Sequence, residues 1–512
     1  MYRTNLKFIA VFLLAGTFAM NACNKAADQS TSVVENIQLP PVLQDKQATF
    51  YVLIKGQQLA KFNLQNLTTP ESVVTLDGME SAENIVSIDF RPATGQLYGI
   101  GNTSRLYVIN PMTGKVRPVG TTPFSPALVG TMNGFDFNPT VDRIRVVTSN
   151  GQNLRLNPET GTVAATDGPI SIAGAAITGA AYTNNTAGAT TTILYDIDVT
   201  SKKLYKQDPP NNGTLVEVGS LGEDIRGEGG FDIAPDGSIA LAAYGDKLYY
   251  INLETGKATN IGNLGTFTDV TGLAIQTNPV AYAVDETNNL LIFNPMKPEP
   301  VMKPITGLPS GENIKGIDFR PFNGQLYALS SASKIYTVNT SNGAVTMVGA
   351  APFSTPLEGT SFGFDFNPTV DRIRIVSNTG QNLRVHPETG AIAAIDMNIN
   401  PAGSSITQVA YTNNFSGATS TVLYDIDATS DKLFRQDPPN NGTLVEVGPL
   451  GFNATAMGGF DIGGTSGIAY ALLHVDGGSA SNIYTISLTD GKVTVVAGFP
   501  KSVTGFAVGL GF

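Results

Sequence analysis

Residues 134–147 read GFDFNPTVDRIRVV, and residues 363–376 read GFDFNPTVDRIRIV, so one stretch occurs twice with a single substitution. The offset between the two copies is 229 residues (363 − 134). The same offset relates the segments QDPPNNGTLVEVG at 207–219 and at 436–448. The body of the chain is therefore one unit written twice.

A shorter period runs inside each unit. Asp89, Asp136 and Asp232 each lie between two apolar residues, Ile or Phe, and Tyr182 heads a similar run. Five such runs in one unit give about 46 residues per run, which is typical of a four-stranded propeller blade. Turns of the type Asn-Pro-x-Thr-Gly, as at residues 110–114, separate short alternating segments and favour tight antiparallel hairpins.

These patterns predict an all-β protein, a β-propeller with about ten four-stranded blades. The chain is rich in Gly (55) and Pro (30), and it has no long segment with helical apolar spacing outside the N-terminus. Lone apolar segments at 270–275 and 503–508 each supply the strand that an earlier run lacks, which is how propellers close. The sequence favours two tandem five-bladed propellers, at 49–278 and 279–512. The alternative is one ten-bladed ring.

The junction at residues 276–279 bears on this choice. It reaches only about 14 Å when extended, so two separate rings would have to lie very close together. A single ring of ten blades would open a wide central channel that needs filling. Both arrangements stay open at this point.

The N-terminus predicts export and anchoring. Residues 1–23 have two basic residues followed by a short apolar run that ends Met-Asn-Ala-Cys, which resembles a lipoprotein cleavage box. Cys23 is the only cysteine in the chain, and lipidation there would hold the protein at the bacterial cell envelope. Residues 24–48 are polar and read as a flexible tether. The membrane is therefore the first predicted partner, and the leaflet stays open.

Composition disfavours several functional classes. A net charge of −11 without clustered Lys or Arg argues against nucleic acid. His386 and His474 are the only histidines, so zinc sites and histidine-based catalytic triads are not expected. We predict no cofactor and no metal site. Paired aspartates at Asp196 and Asp198, and at Asp425 and Asp427, could supply calcium ligands, but turn capping is the favoured interpretation.

The main binding hypothesis rests on two amide-rich loops. In a four-stranded meander, the first and third connections emerge at the same end of the blade, so residues 182–185 and 207–213 should meet. Alternatively, these side chains serve only their own turns. The predicted site residues are Tyr182, Asn184, Asn185, Gln207, Asp208, Asn211 and Asn212, with Tyr411, Asn413, Asn414, Gln436, Asp437, Asn440 and Asn441 in the second copy.

An alternative site is cationic. Arg143 and Arg145 share one face of a predicted strand and could bind an anion. The favoured interpretation is instead a ladder in which the arginines pair with Asp136 or Asp142 and link blades. The second copy contains the equivalent residues Arg372 and Arg374.

The segments FDFNPTVDRIR, GQNLR, AYTNN and QDPPNNGTL together resemble a family of bacterial secreted proteins, domain of unknown function 4394. The resemblance covers both units, and it implies no activity, ligand or catalytic residue. The sequence favours a non-catalytic binding or scaffold protein, with an envelope glycan or a protein as partner. The alternative is a propeller hydrolase or lyase that acts on an envelope or external polysaccharide.

Overall fold

The computed structural model describes residues 39–130, 133–475 and 481–512. The predicted leader with Cys23 and most of the predicted tether lie outside the described residues. Residues 39–512 form one compact unit. In that described part, the helices are three short 3-10 turns, Pro41–Leu43, Pro210–Asn212 and Pro439–Asn441, and no helix is long and apolar enough to span a membrane.

The described strands form ten four-stranded antiparallel sheets. The first twenty strands in chain order are β1 (Thr49–Ile54), β2 (Gln58–Asn63), β3 (Ser72–Thr75), β4 (Ile85–Phe90), β5 (Leu97–Gly101), β6 (Leu106–Ile109), β7 (Val116–Val119), β8 (Asn133–Asn138), β9 (Arg143–Thr148), β10 (Asn153–Leu156), β11 (Val163–Thr166), β12 (Ile177–Tyr182), β13 (Leu194–Asp198), β14 (Lys203–Gln207), β15 (Leu215–Ser220), β16 (Gly229–Ile233), β17 (Ala240–Tyr244), β18 (Lys247–Ile251), β19 (Ala258–Asn263) and β20 (Val270–Ile275).

The remaining strands repeat the plan. They are β21 (Ala281–Asp285), β22 (Asn289–Asn294), β23 (Lys297–Pro304), β24 (Ile314–Arg320), β25 (Gln325–Ser330), β26 (Lys334–Val338), β27 (Val345–Val348), β28 (Phe362–Asn367), β29 (Arg372–Ser377), β30 (Asn382–Val385), β31 (Ile392–Ile395), β32 (Ile406–Tyr411), β33 (Leu423–Asp427), β34 (Lys432–Gln436), β35 (Leu444–Pro449), β36 (Ala454–Ile462), β37 (Ala469–Val475), β38 (Ser481–Ile486), β39 (Val493–Phe499) and β40 (Val503–Val508).

The sheets close into two rings of five blades, as the sequence favoured. Strands β4, β8, β12, β16 and β20 are the inner strands of the first ring, and each contacts the next, with β20 returning to β4. Strands β24, β28, β32, β36 and β40 make the second ring in the same way. The alternative of one ten-bladed ring is therefore wrong for this chain.

Each ring is closed by the lone strand that the sequence singled out. Strand β20 pairs antiparallel with β1, and β40 pairs with β21, so the last strand of each ring completes the blade that its first strands begin. This pairing satisfies the backbone groups of a strand that would otherwise present an open edge. The expected role of both segments is confirmed.

Glycine allows the inner strands to approach closely. A Cβ on Gly134 would lie 2.5 Å from the Cβ of Ala180, and a Cβ on Gly230 would lie 2.1 Å from the backbone nitrogen of Leu273. Any larger residue would push the neighbouring blade outward. The glycine that opens the GFDF and GFDI segments is therefore required by the narrow radius of a five-bladed ring.

The two rings contact each other where their inner strands end. This contact follows from the short junction between β20 and β21. Tyr282 donates from its hydroxyl to the carbonyl of Ala93 at 2.9 Å, and the backbone N–H of Gly511 donates to the carbonyl of Thr94 at 2.8 Å. We call the face where inner strands begin the start face of a ring, and the opposite one its end face.

Candidate functional site

Buried aspartates lie on the axis of each ring. In the first ring, a carboxylate oxygen from each of Asp89, Asp136 and Asp232 lies within 4.8 Å of the others, and the three side chains are buried. The corresponding positions of the other two inner strands are Ala181 and Ala274. Three of the five strands thus contribute an acid to the axis, and two contribute a methyl group.

The aspartates hold neighbouring blades together. Asp89 accepts the backbone N–H of Phe137 at 2.8 Å, and Asp136 accepts that of Tyr182 at 3.0 Å. Asp232 accepts that of Ile275 at 2.6 Å. Each bond crosses from one blade to the next, so the apolar-Asp-apolar triplet encodes a link between blades. In the second ring, Asp318, Asp365 and Asp461 bond Phe366, Tyr411 and Val508 in the same way.

Burial favours the neutral form of these acids. It raises the pKa of Asp232 to about 7, against the opposing effect of the N–H donors of Ile275 and Ile233. Burial and the neighbouring carboxylates raise the pKa of Asp89 and Asp136 well above the ordinary range. An oxygen of Asp136, Oδ2, has no hydrogen-bond partner among the described residues.

The two predicted amide-rich loops do meet, and Arg145 joins them. This buried side chain donates from Nη2 to Asn211 Oδ1 at 2.8 Å and from Nε to the hydroxyl of Tyr182 at 3.3 Å. Its Nη1 donates to Asp167 Oδ2 at 2.6 Å and to Asn153 Oδ1 at 2.7 Å. The second ring repeats this network with Arg374, Asn440, Tyr411, Asp396 and Asn382.

Asp167 supplies the charge that balances Arg145. Although burial opposes ionisation, hydrogen bonds from Arg155 and Arg145 lower the pKa of Asp167. This acid lies just after β11, outside every motif that the sequence analysis singled out. The partner predicted for Arg145 was Asp136 or Asp142, and the structure instead places Asp142 against Arg91 of the preceding blade, with Nε to Oδ1 at 2.9 Å.

Arg143 and Arg145 lie in different surroundings. Arg143 is half-buried, and its Nη1 donates to the carbonyl of Asp142 at 2.8 Å. It lines a crevice of about 200 Å³ between the rings, together with Thr340 of the second ring. The four hydrogen bonds of Arg145 are made to protein acceptors, so the two guanidinium groups do not face one shared cavity. Arg374 repeats the surroundings of Arg145, and Arg372 bonds the carbonyl of Asp371.

The other loop residues divide between buried and exposed positions. Asn184 is exposed and donates to the carbonyl of Thr191 at 3.0 Å, while Gln207 is buried and donates to that of Pro210 at 2.6 Å. Asn185 is fully buried, and neither atom of its amide has a partner among the described residues. The exposed members are Asn184, Asp208, Asn211 and Asn212, with Asn413, Asp437, Asn440 and Asn441 in the second ring; Asn414 and Gln436 are buried like Asn185 and Gln207.

The paired aspartates and the histidines lie apart from these loops. Asp198 caps a turn, accepting the backbone N–H groups of Ala176 and Thr200 at 2.9 Å. Burial raises the pKa of Asp196 to about 8, against the opposing effect of Arg145. His386 caps its own turn by accepting the N–H of Glu388 at 3.2 Å, and His474 lies half-buried in β37.

A funnel on the start face of the first ring was missed by the sequence analysis. It encloses about 840 Å³ at the mouth of the central channel. Its walls come from the first residues of three inner strands, β4, β8 and β20, and from loops of several blades. The polar lining residues are Lys55, Asn84, Asn102, Asn133, Arg226, Glu228, Thr268, Asp269 and Thr271.

Two features of this funnel suit it to ligand binding. Asn133 is 4% exposed, and its Oδ1 has no hydrogen-bond partner among the described residues. Both charge signs line the wall: Lys55 pairs with Asp269 at 3.2 Å, and Arg226 pairs with Asp224 at 2.7 Å. Glu228 is exposed and makes no ion pair within the described part of the chain.

The described residues of the second ring enclose a smaller space at this position. The cavity at the equivalent place encloses about 160 Å³. Phe362 stands where the first ring has Asn133 (362 − 133 = 229), and Met457 stands where it has Glu228 (457 − 228 = 229). An apolar side chain therefore replaces both the buried amide and the free carboxylate. The duplicated rings share their end-face motifs but differ at this rim.

Comparison with known proteins gives a family and weak structural similarities. The profile of the family described as Domain of unknown function (DUF4394) matches residues 58–274 and 289–507. A search of curated proteins gives no match. The chain is similar to PorZ, described as a surface component of the type-IX secretion system of Porphyromonas gingivalis, with 13% identity, a TM-score of 0.25 and coverage of 86% of this chain and 63% of that one.

Two further solved structures give similar values. The extracellular domain of BT4673 from B. thetaiotaomicron is 11% identical, with a TM-score of 0.26 and coverage of 88% of this chain and 66% of that one. A protein of unknown function from Bacteroides caccae is 14% identical, with a TM-score of 0.28 and coverage of 59% and 93%. Similarities of this size carry no argument about function. The family match does carry one: because it covers more than half of the sequence in two segments, the chain belongs to the DUF4394 family and contains two copies of its domain.

Proposed function

We propose that this protein is an exported, non-catalytic binding protein that holds a polar ligand in the start-face funnel of its first ring. The observation that supports it is the 840 Å³ cavity with the unpartnered, buried amide of Asn133 in its wall. Ligand sites in proteins commonly enclose about 300–1,000 Å³. A buried polar atom without a partner is costly unless a ligand or water supplies the missing bond.

The duplication strengthens this proposal. The first ring has an open rim with charged and amide side chains, whereas the equivalent cavity of the second ring encloses about 160 Å³ around Phe362 and Met457. The rim of the first ring is thus the place where the two copies differ in what they could bind.

The lining indicates the class of ligand. Lys55 and Arg226 offer positive charge, Glu228 and Asp269 offer negative charge, and the asparagines offer both donors and acceptors. No aromatic side chain is among the described residues that line the funnel. Sugar rings commonly bind on aromatic faces, so this lining favours a peptide segment with charges of both signs over a neutral glycan.

The alternative of a hydrolase or lyase has less support at this site. Glycoside hydrolysis needs a carboxylic acid that stays protonated until it donates to the leaving group. Hydrogen bonds from Thr268 and Lys55 lower the pKa of Asp269, so this side chain is ionised at neutral pH and cannot act as that acid. Glu228 is the one other carboxyl group among the described residues that line the funnel, and it is exposed to solvent.

Anchoring completes the proposal. The apolar run that ends at Cys23 fits a lipoprotein leader, and a lipid on Cys23 would hold the rings at the bacterial cell envelope by the tether of residues 24–48. The tether would allow the funnel to sample ligands near the membrane surface. A binding protein fixed in this way gains local concentration without tight affinity.

The test is a binding screen with charge-mixed peptides and, separately, with neutral and acidic oligosaccharides. We expect a peptide hit whose affinity falls at least about tenfold, the equivalent of 1.4 kcal/mol, in Asn133→Leu and in Glu228→Gln. The matched controls are Phe362→Leu and Met457→Leu at the equivalent positions of the second ring, which should bind normally. Binding that is lost in the controls, or that survives both funnel changes, contradicts the proposal.

A further inference from the structure

Three buried aspartates lie together on the axis of each ring, and no cationic side chain among the described residues forms an ion pair with them. In the second ring, oxygens of Asp318, Asp365 and Asp461 lie within 4.8 Å of one another, and all three side chains are buried. The salt bridges of the described residues include none of the three. Three ionised acids at this separation would repel strongly in a medium of low dielectric constant.

The backbone bonds at these carboxylates favour their ionised form. Asp318 accepts the N–H groups of Phe319 and Phe366 at 2.7 and 2.8 Å, and Asp461 accepts those of Ile462 and Val508 at 2.6 and 2.7 Å. Each carboxyl oxygen has two lone pairs, so an oxygen that accepts one backbone N–H can still bind a proton or a metal cation. The backbone bonds therefore leave acceptor sites on the axis for a cation.

An independent observation is the asparagine beside the group of the second ring. Asn414 is fully buried, with its Nδ2 3.5 Å from Asp461 Oδ1, while its own Oδ1 has no partner among the described residues. Asn185, at the same place in the AYTNN segment of the first ring, is fully buried with neither amide atom partnered. A 180° rotation of the side-chain amide of Asn414 or Asn185 exchanges the positions of its nitrogen and oxygen. The amide oxygen would then face the axial aspartates.

We propose that the axis of each ring binds one calcium ion between its three aspartates, with the amide oxygen of Asn414 or Asn185 as a further ligand. Two oxygens that bind the same Ca²⁺ ion at about 2.3–2.6 Å lie no more than about 5 Å apart, and the carboxylate oxygens of the three aspartates lie within 4.8 Å of one another. Carboxylate and amide oxygens are the ligands that this ion prefers, and it tolerates irregular geometry better than Mg²⁺ does.

Such an ion would tie inner strands together. In the second ring it would join β24, β28 and β36, and through the bond from Val508 to Asp461 it would also hold the closing strand β40. The ion would therefore cross-link the inner strands near the end face of each ring. In the first ring, this position is at the opposite end of the channel from the funnel. This site is independent of the peptide proposed for the funnel, because it lies among buried residues on the ring axis.

The test measures the metal content and thermal unfolding of the purified full chain. We expect calcium in a ratio of one ion per ring in protein prepared without chelator, and a melting temperature that falls when the protein is refolded in chelator and returns when calcium is present during refolding. Asp461→Asn should keep one acceptor for the backbone and lose the ion of the second ring alone. Asp437→Asn, at an exposed carboxylate in a surface loop, is the matched control and should retain both ions.

Asn414→Leu provides a second variant that leaves all three carboxylates in place. It should weaken calcium binding in the second ring and leave the first unchanged, which remains measurable if Asp461→Asn fails to fold. If the protein contains another hard divalent ion, such as Mg²⁺, in a ratio of one per ring, the proposed site is supported and only the identity of the bound ion changes. Protein that retains no divalent metal, and whose melting temperature is the same with calcium and with chelator, overturns the proposal and assigns protons to the carboxyl groups.

Discussion

Asp89 accepts the backbone N–H of Phe137 at 2.8 Å, and this bond joins the inner strands of two consecutive blades. The same carboxyl group accepts the N–H of Phe90 in its own strand at 2.7 Å. One side chain therefore fixes both the local strand and its distance to the next blade. A buried carboxyl group needs hydrogen-bond partners, and here the backbone of the next blade supplies one of them. The apolar-Asp-apolar triplet therefore indicates where inner strands lie in the sequence.

The axial acids give a prediction for pH. Asp232 has a pKa of about 7 in the folded protein, against an ordinary value of 3.8. Between these values the folded state holds a proton that the unfolded state has released, so in chelator the free energy of unfolding should fall as pH rises through that window. The loss should be on the order of 4 kcal/mol for Asp232, because the two values differ by 3.2 (7 − 3.8) and each pKa unit corresponds to about 1.4 kcal/mol.

Urea titrations in chelator at several pH values between about 4 and 8 check this prediction. The control is Asp232→Asn, which removes one titrating group and should make the dependence shallower, while Asp89 and Asp136, whose pKa is also raised, still titrate. Surface acids whose pKa is lowered, such as Asp224, lose their contribution below the ordinary range and do not interfere. Stability that rises with pH in chelator would contradict the prediction.

The network at Arg145 gives a prediction for stability. Arg145→Met removes a buried charge that bonds Asp167, Asn153, Asn211 and Tyr182. Removal of one partner of a buried ion pair typically costs about 3–5 kcal/mol, so the first ring should unfold at clearly lower urea concentration.

The matched control is Arg143→Gln in the same strand. This half-buried side chain bonds a carbonyl of its neighbour, so its loss should change the free energy of unfolding by less than about 1 kcal/mol. Equal effects of the two substitutions would mean that the buried network does not hold the loops. Arg374→Met should destabilise the second ring in the same way.

The architecture could be predicted because each of its causes is local in sequence. The repeated segments that give the offset and the blade-length period are continuous in sequence, and so is the lone strand at 503–508. The Asp triplets could also be placed on inner strands. Their meeting on an axis follows once five such strands close a ring, and it is the small ring that brings Asp89 and Asp232 together.

The funnel could not be predicted, because its lining comes from separate blades and shares no motif. Lys55, Asn133 and Glu228 lie in different loops and strand ends, and each alone resembles an ordinary surface residue. Asp167 could not be predicted as the partner of Arg145 for a similar reason. It follows the outer strand β11, and the folded structure is needed to bring it to Arg145. The end-face loops are the segments that the two copies share, so the repeat pattern points to them. The start-face cavities differ because the two copies have different residues at the rim, such as Asn133 and Phe362.

The closing strands give a prediction for independent folding. Because β20 completes the blade of β1 to β3, residues 39–278 contain every strand of the first ring. We expect this fragment to be a monomer with one cooperative urea transition, less stable than in the full chain since contacts such as Tyr282 to Ala93 are lost. The matched fragment 39–269 lacks β20 and should aggregate. An insoluble or obligately dimeric 39–278 would contradict independent closure.

The leader gives a prediction for anchoring. Cys23→Ser removes the one thiol of the chain, so labelling with a radioactive fatty acid should be lost and the protein should become soluble or stay unprocessed. Membrane fractionation after a high-salt wash measures this outcome. Ala22→Gly, which keeps a small residue before the cysteine, is the matched control and should still be labelled. A Cys23→Ser protein that stays with the membrane after washing would place the anchor elsewhere.

The amide-rich loops give the last prediction, which separates them from the funnel. Asn184 and Asn212 are exposed in the first ring, and Asn413 and Asn441 repeat them in the second. If these loops bind ligand, calorimetric titration should show two sites per chain, and changing either pair to Ala should halve the stoichiometry. If the funnel binds, titration should show one site per chain that both pairs leave unchanged and that Glu228→Gln weakens. The two loop sites would be equivalent because Arg145 and Arg374 hold their loops by the same four contacts. The funnel is single because Phe362 and Met457 narrow its counterpart, so stoichiometry alone distinguishes the two hypotheses.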